Sequence, residues 1–101
     1  MISVTIRRNN KGQIHSFSAT GHGKTDACAA VSLFVINTAN SIEALTDEDI
    51  SGEYDPKGGY MYFELQDNIS SEANILLEAL ALGLRSVKEN YNQEIELTEL
   101  K

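Results

Sequence analysis

The chain has 101 residues, of which 42% are hydrophobic and 23% charged, with a net charge of −7. That length gives one domain with one core, spanning residues 1–101, and leaves no room for separate cofactor and substrate domains. An acidic surface repels phosphate backbones, so direct nucleic-acid binding and an anionic membrane are disfavoured, and a charged partner is expected to be basic.

Ile2, Val4 and Ile6 alternate with Ser3, Thr5 and Arg7, the period-two pattern of a half-buried strand. Asn9-Asn10-Lys11-Gly12 predicts a turn, since Asn and Gly tolerate positive φ. Alternation resumes from Gln13 to Thr20, with Phe17 and Ala19 on one face and Ser16 and Ser18 on the other. The pair reads as a hairpin. It ends at Gly21-His22-Gly23, where glycines free the backbone and leave His22 at a strand's end.

The spacing predicts a long helix over Asp26–Leu45, with Thr25 or Asp26 supplying the N-cap oxygen. Its first half, Ala27 to Ile36, is apolar nearly all round and is expected to be buried against the sheet. That run is interrupted by Ser32 and is too short to span a bilayer. Residues 43–55 carry six acids and no base, and predict an exposed acidic connection into a short strand near Ile50–Tyr54. Asp55-Pro56-Lys57-Gly58-Gly59 is a turn signal, and Tyr60–Leu65 follows as the second strand of another hairpin.

Ser70 or Ser71 can cap a second helix running to about Tyr91. Leu76, Leu80, Val87 and Tyr91 make one stripe, and Ile75, Leu77, Leu82 and Leu84 widen it, so cover from the other helix or a second subunit is expected. Gly83 lets another helix approach closely. Ile95 and Leu97 define a last strand over Glu94–Glu99. The expected fold is α+β, a two-layer sandwich of a mostly antiparallel sheet and two long helices in the order β-β-α-β-β-α-β.

The reactive side chains concentrate between Gly21 and Ser32. Cys28 is the sole cysteine, so no internal disulfide exists, and a reducing cytoplasm is the expected location. The N-terminal residues also lack the charged-then-apolar order of a signal peptide. Placed in the first turn of a helix, a thiolate at Cys28 is stabilised by unpaired N–H groups and the helix dipole. His22, six positions earlier, can serve as its base across a short strand-to-helix loop. Ser32, one turn after Cys28, shares its face and can orient the pair or bind substrate. A lone cysteine among alanines and valines is more often a small core residue, and spacing alone does not overturn that reading. A metal site from His22, Asp26 and Cys28 lacks a fourth ligand and paired spacing, so neither metal nor cofactor is expected. His15 reads as structural, and Tyr54, Tyr60 and Tyr62 read as strand packing or a substrate platform.

At these residues the chain resembles the ribosomal-processing cysteine protease family, Prp. The likeness rests on Gly21-His22 after a hairpin, Cys28-Ala29-Ala30-Val31-Ser32 opening a long helix, Gly58-Gly59 before a strand, and Tyr91-Asn92 near the end. It implies a homodimer with a catalytic dyad of His22 and Cys28, supported by Ser32, Asp26 and Gly21. It also implies a basic ribosomal protein as substrate, namely large-subunit protein twenty-seven, whose N-terminal extension the family removes. Five residues separate His22 from Cys28, fewer than the family usually has, and Asp26-Ala27 replaces its usual Asp and two aliphatics before the cysteine. Gly23 stands where alanine is common. The alternative expectation is a non-catalytic dimeric module that binds a basic ribosomal protein through the acidic 43–55 segment.

Overall fold

A computed structural model describes residues 2–21, 26–55, 60–66 and 68–101. Strands β1 (Ile2–Arg8) and β2 (Ile14–Thr20) precede helix α1 (Asp26–Leu45). Strands β3 (Ile50–Tyr54) and β4 (Tyr60–Leu65), helix α2 (Ser71–Asn90) and strand β5 (Ile95–Leu100) complete the chain. The expected α+β order is found, and the element boundaries fall within a residue or two of those read from pattern and punctuation.

The five strands form one sheet in the order β3-β4-β2-β1-β5. Three pairings are antiparallel, while β1 and β5 run parallel, Ile2 facing Ile95 and Val4 facing Leu97. Each helix is therefore the crossover of a β-α-β unit whose strands are parallel but not adjacent. β2-α1-β3 encloses β4, and β4-α2-β5 encloses β2 and β1. At one end of the sheet β2 and β3 finish while β1, β4 and β5 begin. α1 starts there.

The alternation seen in β1 and β2 has the expected consequence. Ile2, Val4, Ile6, Phe17 and Ala19 are buried under the helices, whereas Ser3, Thr5 and Ser18 lie on the opposite face, which among the described residues carries no helix. A bulge between Arg7 and Arg8 makes His15 the extra residue of β2, so Ile14 also turns into the core. The first turn is closed by Asn9, whose side-chain Oδ1 accepts the N–H groups of Lys11 (2.9 Å) and Gln13 (3.0 Å), with Gly12 at φ +79°. α2 is capped as expected. The Ser70 hydroxyl accepts the Ala73 N–H at 3.2 Å.

Two expectations about the helices need correction. The first half of α1 is not buried all round. Ala27, Val31 and Val35 enter the core, but Leu33 is 72% exposed, Ile36 45% and Phe34 39%. A two-layer fold offers one helix only a sheet below and one neighbour beside it, so its outer surface stays uncovered. Its length and apolarity would suffice to cross a membrane, yet it serves here as a core helix on the sheet. In α2, Leu80 and Val87 of the expected stripe are buried with Leu77, Leu84, Ala73 and Ala81, but Leu76 and Tyr91 are only half-buried and Ile75 and Leu82 face outward. Gly83 behaves as anticipated: a Cβ there would stand 2.5 Å from the Phe34 ring of α1.

The acidic connection is also less uniform than its charge suggests. Most of residues 43–55 are exposed, but the Glu48 carboxylate accepts the Ser70 N–H at 3.2 Å and so ties this segment to the start of α2. The two arginines that brace α2 to the sheet use other carboxylates. Arg8 forks onto Glu78 at 2.5 and 3.0 Å, and Arg85 onto Glu99 at 2.7 and 2.9 Å.

Candidate active site

The end of the sheet where α1 starts holds the reactive segment. β2 finishes at Thr20 and the chain leaves it through Gly21, whose φ of +95° is a conformation that L side chains rarely adopt. Glycine at this position is therefore a requirement of the backbone path. α1 opens at Asp26, which makes Cys28 its third residue and puts the thiol within the turn whose N–H groups lack intrahelical acceptors.

Cys28 is half-buried, as is Ser32 one turn later. Both line a small notch of about 10 Å³ with Gly21, Thr20 and Tyr60. Its floor is apolar, formed by Ile2, Ala19, Val31 and Met61. The sequence reading thus grouped Gly21, Cys28 and Ser32, and the fold brings these three together. Asp26 is exposed at the helix start and is not among the residues lining the notch. His22, Gly23 and Thr25 lie outside the described residues, as do Gly58 and Gly59 of the second hairpin turn.

Tyr60 is the site residue that sequence reasoning placed least well. It opens β4, sits opposite Thr20 in the antiparallel register, and is 36% exposed at the notch. Its hydroxyl donates to Glu53 at 3.3 Å, and partial desolvation, then the Glu53 charge, hold its pKa above the ordinary tyrosine value. Two residues along β4, Tyr62 donates to Glu64 at 2.8 Å, and that hydrogen bond is the main cause of its own raised pKa. Both tyrosines stand on the helix-free face, so they are an aromatic and acidic border of the sheet rather than core packing. Adjacency of Tyr60 to Cys28 needs the pairing of strands forty residues apart in the chain. Only a register prediction for β2 against β4 could have found it.

A thiol in the first turn of a helix and a hydroxyl one turn along, both lining a notch bordered by the partly exposed Tyr60, form an arrangement suited to nucleophilic attack on a carbonyl. The comparisons with known proteins agree. The family model for cysteine protease Prp matches residues 1–96. The ribosomal processing cysteine protease Prp of Staphylococcus aureus is 30% identical over 103 residues, covering 96% of this chain and 97% of that protein. The Bacillus subtilis protein of the same description is 30% identical over 108 residues, covering 97% and 96%. A crystal structure of the S. aureus protease with a covalently linked product peptide superposes with a TM-score of 0.91 at 30% identity, over 98% of this chain and 99% of that one. With the fold, the helix-borne cysteine and near-complete coverage in agreement, this chain belongs to the Prp family of cysteine proteases.

Proposed function

We propose that this protease removes the N-terminal extension of ribosomal large-subunit protein twenty-seven, with Cys28 as nucleophile and His22 as its base. The observation that carries the assignment is the position of Cys28: third in α1, half-buried, in a notch shared with Gly21 and Ser32. His22 follows Gly21 directly in the chain. The covalent peptide complex of the S. aureus relative is in keeping with a thiol nucleophile.

In this mechanism His22 takes the Cys28 proton, and the thiolate attacks the scissile carbonyl carbon to give a tetrahedral oxyanion. N–H groups of the first turn of α1 receive that charge. As the C–N bond breaks, His22 gives the proton to the leaving amine and a thioester remains on Cys28. A water then surrenders its proton to His22, attacks the thioester, and releases the acid as Cys28 regains a proton. Ser32, Gly21 and Asp26 have supporting roles: the hydroxyl beside the thiol, the turn before His22, and the acid at the helix start.

The same proposal includes a homodimer working in the cytoplasm on a basic substrate. Leu33 (72% exposed), Ile75 (68%) and Leu82 (62%) on the outer surface of the helices provide apolar area for a second copy. The net charge of −7 suits a basic ribosomal protein.

The test is cleavage of a peptide spanning the extension and the mature start of protein twenty-seven. Cys28→Ala is expected to abolish cleavage while circular dichroism and Tm stay unchanged, and iodoacetamide is expected to inactivate the wild type near neutral pH. Full activity in Cys28→Ala refutes the assignment. Salt-sensitive binding of the intact substrate without cleavage, equal in wild type and Cys28→Ala, would instead mark a binding module.

A further inference from the structure

A second, larger cavity lies farther along α1. It is a groove of about 440 Å³ between α1 and the hairpin of β3 and β4, lined by Ile36, Asn40 and Glu43 from the helix and by Ile50, Gly52 and Phe63 from the sheet. Cys28, Ser32, Ile36 and Asn40 recur every four residues, so one side of α1 passes continuously from notch to groove. The opposite wall is continuous as well. Met61 lines the notch, and Phe63, two residues on and therefore on the same face of β4, lines the groove.

Resting on the protease reading above, we propose that this groove is a specificity subsite that takes a large aliphatic or aromatic side chain of the substrate peptide. Its lining includes the half-buried apolar side chains of Ile50 and Phe63, and Ile36, which is 45% exposed. Its depth depends on Gly52. A Cβ at that position would lie 2.2 Å from the Phe63 ring, so the missing side chain is what lets the ring lie against β3. Asn40 and Glu43 are exposed on the helix side and give the far end a polar boundary.

Geometry sets which substrate residue it receives. Along α1, Ile36 is about 12 Å and Asn40 about 18 Å from Cys28 at roughly 1.5 Å per residue. An extended peptide advances about 3.3 Å per residue, so the groove meets a side chain roughly four or five positions from the scissile bond. The exposed Leu33, Ile75 and Leu82 offered to a second copy do not line this groove.

The experiment uses a fluorogenic peptide spanning the proposed processing junction, with each residue four or five positions from the scissile bond replaced singly by serine on either side. For the wild type, one of these replacements is expected to lower kcat/KM about tenfold or more, mainly through KM. Ile36→Lys is expected to erase that preference, giving the parent and the serine peptide equal kcat/KM. Asn40→Trp, which narrows the groove, is expected to reverse it. Wild-type preference retained in both variants overturns the proposal, as does Ile36→Lys shifting the sedimentation coefficient without altering preference, which would give the groove to a second copy. Cleavage that survives Cys28→Ala instead refutes Cys28 as the nucleophile on which the proposed function rests, so the two failures are distinguishable.

Discussion

Replacing Gly52 by alanine tests how the groove is built. A glycine in a strand with an ordinary φ is usually a weak point, and alanine there commonly stabilises by about 0.4–1 kcal/mol through the unfolded chain. Here the added Cβ would meet Phe63 Cδ1 at 2.2 Å, Cε1 at 2.5 Å and the Tyr62 carbonyl oxygen at 2.9 Å. The backbone oxygen cannot retreat without breaking the β3–β4 ladder, so the ring must move. Phe63 stacks on the fully buried Phe17 with centroids 5.5 Å apart and planes inclined by 27°. Losing that geometry costs about 0.5–1.5 kcal/mol. Exposing more of a half-buried phenyl ring adds about 1 kcal/mol. With the entropic gain subtracted, Gly52→Ala should destabilise by about 1–2 kcal/mol. For a domain of this size that lowers Tm by roughly 5–15 °C, measurable by calorimetry. In a Phe63→Ala background the same change should cost less than half as much. A Tm for Gly52→Ala at or above that of the wild type, or strictly additive costs in the double variant, would refute the reasoning.

Other expected outcomes follow from single observations. Gly21→Ala forces a side chain into φ +95° and should cost about 1–2 kcal/mol, with a loss of kcat in peptide cleavage because the turn leads into His22. Gly83→Ala exchanges a gain in helix propensity of about 1 kcal/mol for displacement of the Phe34 ring, so the full gain should appear only in a Phe34→Ala background, read by urea midpoints. The fork from Arg8 holds the Glu78 carboxyl below its ordinary range, and that from Arg85 does the same for Glu99. The native state then binds fewer protons than the unfolded chain at the lower end of the carboxylate range. Stability from these pairs is complete above about pH 4.3 and is lost as the pH falls through the depressed values. Because the pairs are partly exposed, each should be worth about 0.3–1 kcal/mol, and Arg8→Ala should flatten the acid limb of a stability–pH curve.

Local chemistry made most of the fold legible. Alternation in Ile2-Val4-Ile6 and Phe17-Ala19 needs only a pleat and one covered face, and both strands follow it. Ser70 announces α2 because its hydroxyl satisfies the Ala73 N–H within three residues. Pairings that close the sheet were not legible. β5 lies parallel to β1 because α2 crosses over two intervening strands, and nothing in Ile95-Glu96-Leu97 distinguishes a parallel from an antiparallel partner. The bulge at Arg7 and Arg8 was equally silent, since it shifts register without interrupting the alternation around Phe17. Overestimated burial of α1 has a related cause: hydropathy reports what a face can bury, whereas the number of layers decides what covers it.

The site divides along the same line between local and distant order. Cys28 and Ser32 share a face by helical spacing alone, and Gly21 shows itself as the residue able to leave β2 at positive φ. Tyr60, Ile2 and Met61 reach the notch only through strand pairing, so no spacing near Cys28 points to them. This asymmetry bears on how the chemistry and the selectivity separate. The reactive thiol rests on one segment, Gly21 to Ser32, and the groove walls come from β3 and β4 as well as α1. Changes in the β3–β4 hairpin can therefore alter which side chain is accepted while the helix start that bears Cys28 keeps its geometry. The Gly52→Ala variant sharpens the point. If the ring of Phe63 moves as argued, peptide preference should change more than the rate of Cys28 alkylation by iodoacetamide, since the notch and the groove share α1 but not Gly52.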